Sequence, residues 1–121
     1  MILGLGTDII EIERIKSAIG EHGEPFLRKL FTDKERAYCD TFKDPAPHYA
    51  GRFAAKEAIA KALGTGFGKE LSWLHIEILN EPSGKPLVIL AEEIQARFDN
   101  PQLILSISHC TSYAMATAVW S

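Results

Sequence analysis

The sequence predicts an α+β fold, and three observations carry that prediction. Stretches with helical apolar spacing and stretches that alternate are mixed along the chain rather than segregated. One pair of alternating stretches, residues 73–79 and 86–90, is joined by turn chemistry in the middle of the chain. A second pair, 103–108 and 113–120, meets at a short polar link near its end. At 121 residues the chain is expected to be one domain, 1–121.

Residues 2–10 are apolar and contain Gly4 and Gly6, the pattern of a buried strand that lets another backbone come close. Ile12, Ile15 and Ile19 recur at helical spacing, and Gly20 and Gly23 stop that helix. Pro25 to Leu30 forms a short helical piece, and Thr32 with Glu35 is a capping box opening the next. Asp44-Pro45-Ala46-Pro47 breaks the chain. The strongest helix covers residues 48–63, with a stripe of Ala55, Ala58, Ile59, Ala62 and Leu63 and a stop at Gly64. Residues 73–79 alternate as a strand, 80–85 turn, and 86–90 return. Residues 91–98 are helical, 103–108 form a strand with one polar face, and 113–120 a strand with Ala114, Ala116 and Ala118 on one side.

Composition excludes several classes. Thirteen basic against sixteen acidic side chains give a net charge of −3, which does not attract nucleic acid. The apolar runs are too short for a membrane span, which needs about 20 residues, and Asp8 interrupts the first of them, against a signal peptide. Cys39 and Cys110 make neither a disulfide framework nor a metal-ligand pattern, so a reduced cytosolic compartment is the expectation.

Four constellations could carry chemistry. Asp8, just after the glycines of the first strand, suits a hard cation such as Mg²⁺, although taken alone a strand-end aspartate more often caps the following helix. Glu57 and Lys61 share a face of the long helix, with Arg52 and Lys56 on a neighbouring one. This is either an ordinary surface ion pair or a charged site that the surrounding alanines leave open to a ligand. The helix runs into Gly64-Thr65-Gly66-Phe67-Gly68, whose backbone N–H groups could meet phosphate oxygens or simply form a C-cap; the helix dipole there disfavours an anion. Ser108 and His109, adjacent on a strand, point to opposite faces and cannot form a nucleophile–base pair, which leaves His109 as a phosphate or ring contact or a structural turn residue. Lys85, in Gly84-Lys85-Pro86, is a hairpin residue that could reach a phosphate.

As an ordered set these residues closely resemble the holo-(acyl-carrier-protein) synthase group of the 4′-phosphopantetheinyl transferases. The matching segments are 4–11 (Gly-Leu-Gly-Thr-Asp-Ile-Ile-Glu), 31–35, 51–66 (through Arg-Phe-Ala-Ala-Lys-Glu-Ala-Ile-Ala-Lys), 76–78, 84–86, 106–109 and 113–114. The resemblance implies a single domain with an antiparallel sheet packed against a long central helix. It implies transfer of the 4′-phosphopantetheine arm of coenzyme A to a serine of acyl carrier protein, leaving adenosine 3′,5′-bisphosphate. Asp8 and Glu57 would hold Mg²⁺ and Lys61 would pair with a phosphate, while the route of the serine proton, a metal-held water or Glu57, stays open. Arg52, Lys61, Gly64, Thr65, Gly66, Lys85, Pro86, Ser108 and His109 would line the coenzyme A cleft. In place of several basic residues before the long helix stands Lys43-Asp-Pro-Ala-Pro-His48, so Lys43 or His48 is the candidate to replace a missing arginine. The resemblance further implies a cytoplasmic homotrimer acting in fatty acid biosynthesis, with clefts shared between subunits; the Ala114, Ala116 and Ala118 face is a compatible contact or faces a helix of its own chain. Residues 14–36 hold six basic against four acidic side chains in a chain that is otherwise negative. Arg14, with Arg28 and Lys29, is therefore expected to dock the acidic carrier protein. A coenzyme A-binding module without catalysis, or an interaction domain, would not need Asp8, Glu57 and Lys61 together.

Overall fold

The computed structural model describes residues 1–121. Gly4–Glu11 forms β1, and three helices follow: α1 (Ile12–His22), α2 (Glu24–Leu30) and α3 (Asp33–Cys39). The capping box holds α3, since the Thr32 hydroxyl accepts from the Glu35 N–H and a Glu35 carboxylate oxygen accepts from the Thr32 N–H. The long helix α4 spans Ala46–Leu63, two residues longer at its start than the periodicity predicts, because Pro47 fits the first turn, where its missing N–H costs nothing. Gly64 ends it in the left-handed conformation, φ 77°. After a loop come β2 (Ile76–Asn80), β3 (Pro86–Leu90), α5 (Glu92–Arg97), β4 (Leu103–His109) and β5 (Tyr113–Trp120).

The strand expected over 73–79 begins only at Ile76. Trp73–His75 is a 3₁₀ turn, in which the Ser72 N–H donates to the His75 ring nitrogen at 3.1 Å. The strands form two sheets: an antiparallel three-stranded sheet in the order β1-β5-β4, and the separate β2-β3 hairpin. α4 lies across the first sheet and joins two hydrophobic clusters, one around Ala58 and Ile59, the other around Tyr49 and Phe31.

The glycines of β1 do what their spacing implies. A Cβ on Gly4 would stand 2.0 Å from the Ala62 carbonyl oxygen, and one on Gly6 1.9 Å from that of Ala58. The strand therefore lies directly on the backbone of α4, in a register that steps two strand residues per helical turn. Asp8 is the next residue on that face. The strand is not buried on both sides, however, because it is a sheet edge and its other face carries exposed Leu5 and Ile9. Ala114, Ala116 and Ala118 are fully buried against the α4 side of the sheet, so they serve the chain's own helix and not a neighbouring subunit.

Candidate active site

Asp8, Glu57 and Lys61 meet where β1 crosses the second half of α4. The Lys61 ammonium donates to the Asp8 carboxylate at 3.1 Å and to the Thr7 carbonyl at 2.9 Å. Lys61 reaches outward while Asp8 is mostly covered. Glu57 sits one turn before Lys61 on the same flank. Burial, with the Asp8 charge adding to it and Lys61 opposing, pushes the Glu57 carboxyl above the ordinary range. Two carboxylates that repel each other beside a single ammonium are short of positive charge. No group of three or more His, Cys, Asp or Glu side chains gathers here, so the protein offers two oxygen ligands and leaves other positions to water or phosphate. That donor set fits Mg²⁺, which keeps several waters and takes few carboxylates.

The 64–68 loop follows Lys61. The Gly64 N–H donates to Lys61 and the Thr65 N–H to Ala60, so both amides belong to the helix cap and are not free for phosphate as the glycine pattern suggests. The Gly66 and Phe67 amides make no backbone bond, and the Thr65 hydroxyl is buried without a partner. Thr65 and Gly66 keep donors for a ligand; Gly64 does not.

The remaining expected cleft residues lie elsewhere. Arg52 is five residues before Glu57, about 140° round the helix, and is buried on the opposite flank. Its guanidinium lies 4.3 Å from the centre of the Tyr38 ring and donates to the Asn80 side chain. Asn80 in turn donates to the Gly84 carbonyl at 3.0 Å, which ties Arg52 to the hairpin bearing exposed Lys85 and Pro86 at the start of β3. His109 closes β4 beside His48, ring centres 5.7 Å apart, near the start of α4. Ser108, opposite Met115, points to the other face of the sheet. From His48 to Gly64 along α4 is about 24 Å. One chain thus groups Asp8, Glu57, Lys61, Thr65 and Gly66 on one flank and Arg52, Lys85, Pro86, His48 and His109 on the other.

The basic segment is less of a patch than its composition suggests. Arg14 is exposed on α1, in a groove it shares with Glu11, Glu13 and Glu21. Arg28 lies 3.9 Å from Glu24, which also pairs with Arg36. Lys29 faces away, beside Phe67, Trp73 and Leu74.

Sequence reasoning placed Glu35 in a capping box and Lys56 beside Arg52 but missed that the two pair. Both side chains are fully buried and paired at 2.7 Å. The Lys56 ammonium also donates to the carbonyls of Leu30 and Trp73, and Glu35 accepts from the Ile78 N–H at 2.8 Å. The signal in the sequence is a lysine set among Ala54, Ala55, Ala58 and Ala60.

The family model of the 4′-phosphopantetheinyl transferase superfamily matches residues 4–118. A holo-[acyl-carrier-protein] synthase of Protochlamydia amoebophila is 55% identical over 121 residues, covering 100% of this chain and 99% of its own. Among solved structures, holo-[acyl-carrier-protein] synthase of Helicobacter pylori in complex with coenzyme A superposes with a TM-score of 0.89 at 41% identity, covering 97% of this chain and 99% of that one. The Neisseria meningitidis enzyme of the same name gives a TM-score of 0.92 at 31% identity, covering 100% and 99%.

Proposed function

The chain belongs to the 4′-phosphopantetheinyl transferase superfamily, and from that premise we propose that its Asp8–Glu57–Lys61 pocket is where the 4′-phosphopantetheine arm leaves coenzyme A. It is a holo-[acyl-carrier-protein] synthase in activity: the arm passes to a serine of apo acyl carrier protein. The observation that carries the reading is the convergence of those three side chains from β1 and α4 in a chain so similar to enzymes of that name.

Phosphoryl transfer asks for positioning and neutralisation of charge more than for covalent help. The acceptor serine oxygen forms a bond to the β-phosphorus of the pyrophosphate, and the bond from that phosphorus to the bridging oxygen breaks. Adenosine 3′,5′-bisphosphate leaves with the bond's electrons. Asp8 and Glu57 would hold Mg²⁺, which when bound neutralises the pyrophosphate and the leaving oxygen. Lys61, already extended between Asp8 and solvent, supplies a point charge to a phosphate oxygen. Burial and the Asp8 charge hold the Glu57 carboxyl above the ordinary range only while no cation is bound; Mg²⁺ held between the two carboxylates would neutralise that field, and a metal-held water or Glu57 would take the serine proton. The direct experiment is mass spectrometry of apo acyl carrier protein incubated with this chain, coenzyme A and Mg²⁺. A gain of one phosphopantetheine is expected, and no gain would overturn the reading.

We further propose a homotrimer with shared clefts. Two things support it: expected cleft residues sit on opposite flanks of α4, and the sheet face turned away from α4 exposes Leu5, Ile9, Ile104, Tyr113 and Met115. So broad an apolar surface marks an interaction site. Ile9→Arg is expected to dissociate the assembly by light scattering and to lose transfer with it; a stable, fully active monomer at low micromolar concentration would contradict the shared cleft. This reading places the chain in the cytoplasm, in fatty acid and lipid biosynthesis; no helix is long and apolar enough to cross a membrane.

Carrier protein docking is proposed on α1. The Glu11, Glu13 and Glu21 carboxylates around Arg14 limit its field, so Arg14, aided by Arg28, acts as a local contact rather than part of a basic surface, and Lys29, which faces away, takes no part in it. Rim charges act chiefly on association rate and its salt dependence. Arg14→Glu is expected to raise the KM for carrier protein and flatten its salt dependence, with coenzyme A binding unchanged. Equal kinetics at low ionic strength would exclude this surface.

A further inference from the structure

The loop that carries Thr65 and Gly66 past the end of α4 has few bonds of its own. The Thr65 N–H belongs to the helix cap, and the next backbone bond is from the Gly68 N–H to the Leu71 carbonyl at 2.9 Å. Between them the Gly66 and Phe67 peptide groups make no backbone hydrogen bond. Gly66 is left-handed, φ 66°, with Gly64 and Gly68 two residues to either side. Glycine loses more backbone freedom on ordering than any other residue, so such a segment does not keep one shape unaided. A side chain has to hold it, and Phe67 is the one large side chain it has.

Phe67 lies on Trp73, ring centres 3.9 Å apart and planes 9° from parallel. Trp73 stacks in turn with Phe53 of α4, centres 5.0 Å apart at 25°. Phe53 precedes Glu57 by one helical turn on the same flank, so the stack links the loop to the helix surface beside Glu57. It also joins the two hydrophobic clusters, since Phe67 packs against one and Phe53 and Trp73 against the other. Trp73 itself is fixed from several sides. Its carbonyl accepts from the buried Lys56 ammonium at 3.1 Å. The 3₁₀ turn it opens is closed by the His75 N–H on the Ser72 carbonyl at 3.1 Å and by the Ser72 N–H on the His75 ring. The His75 carbonyl accepts from the Ala91 N–H at 2.9 Å. A platform held by four hydrogen bonds thus meets a segment that has none.

We propose that Trp73 is a positioning residue for the donor: its indole holds Phe67, and with it the 64–68 loop, in the shape that presents the Thr65 hydroxyl and the Gly66 amide to coenzyme A. The proposal rests on the transferase reading, which makes coenzyme A the donor. The Thr65 hydroxyl, shielded from solvent without a partner, and the unbonded Gly66 and Phe67 amides are the groups whose placement depends on the loop's shape. Without the stack the loop samples other shapes and the donor must select the competent one, so apparent affinity falls in proportion to the time that shape is present. One aromatic pair shifts such an equilibrium by about two- to tenfold. Once the donor is bound the loop is back in its working shape, so the chemical step changes little.

The test is calorimetric titration of Trp73→Ala, Phe67→Ala and the double variant with coenzyme A and Mg²⁺, beside steady-state kinetics in both substrates. Each single variant is expected to weaken coenzyme A binding by up to about tenfold and to raise the KM for coenzyme A equally. The kcat and the KM for carrier protein should stay near wild type. The double variant should bind no more weakly than Trp73→Ala, because both removals break the same contact. Trp73→Phe, which keeps a ring on the platform, should restore binding. Phe67→Ala truncates a half-buried side chain on the loop, so the outcome does not depend on how well Trp73→Ala folds. Unchanged coenzyme A affinity in Phe67→Ala, effects that multiply in the double variant, or a lower kcat at unchanged KM, the mark of lost folded enzyme, would overturn the proposal. So would a raised KM for carrier protein alone, which would make the stack a docking surface. If wild type modifies carrier protein while these variants bind coenzyme A as wild type does, this proposal fails and the transferase reading stands. A wild-type chain that modifies no carrier protein overturns both.

Discussion

Glu57→Ala and Asp8→Ala are each expected to lower transfer by at least about two orders of magnitude, the scale seen when one preorganised electrostatic group is removed from a reaction centre, while the fold survives. The two differ instructively in stability. Glu57 is half-buried and sits against the charge of Asp8, so its carboxylate is held in an unfavourable field. Removing it relieves that repulsion, and the unfolding midpoint should hold or rise as activity disappears. Asp8→Ala removes the partner of Lys61, but that ammonium is about half exposed and keeps its bond to the Thr7 carbonyl. An ion pair so open to solvent contributes little to stability. Loss of function with stability kept or gained is the signature of side chains placed for a ligand rather than for the fold. The measurement is carrier protein mass shift against Mg²⁺ concentration, beside thermal unfolding. A variant that keeps most of its Mg²⁺-dependent transfer would remove that carboxylate from the site.

Why the meeting of Asp8, Glu57 and Lys61 was legible in the sequence, and the rest of the proposed cleft less so, is a matter of which interactions are local. Glu57 and Lys61 share a flank by helical spacing alone, and Gly4 and Gly6 announce a strand that presses on another backbone, which carries Asp8 to the helix. The Thr32–Glu35 cap and the Gly64 stop are equally local and were found. The failures are questions of which neighbour arrives from far away. Alternation puts Ala114, Ala116 and Ala118 on one face of β5 but does not say that α4, rather than another subunit, covers it. Likewise 73–79 alternates, yet the Ser72–His75 turn consumes its first three residues before the sheet begins. Arg52 and Lys56 share a helix face by spacing, as expected; what spacing could not say is that this face points inward. That depends on Tyr38, Asn80 and Glu35, contributed by α3 and β2.

Lys56→Ala is expected to be the most destabilising single change in the polar interior. Lys56 and Glu35 are both sealed from solvent, and together they bind α2, α3, α4, the 3₁₀ turn and β2 into one unit. Burial pulls the Lys56 pKa down and the Glu35 charge works against that pull, as the geometry of a short, fully satisfied pair requires. A buried pair of this kind adds little over a well-packed apolar pair, because desolvation offsets most of the attraction. Breaking it is different. Without Lys56 the Glu35 carboxylate keeps the Thr32 and Ile78 N–H donors but loses its counter-charge, and the carbonyls of Leu30 and Trp73 lose a donor. Removing one partner of a buried pair costs about 3–5 kcal/mol, a large part of the roughly 5–15 kcal/mol that keeps a domain folded. The double variant Lys56→Met/Glu35→Gln, which removes both charges and keeps the volume, should recover a substantial part of that loss. Urea unfolding of the three proteins at neutral pH checks it. A Lys56→Ala cost below about 1 kcal/mol, or a double variant less stable than the single one, would show that Glu35 has a route to solvent or another partner and that the pair does not hold these elements together.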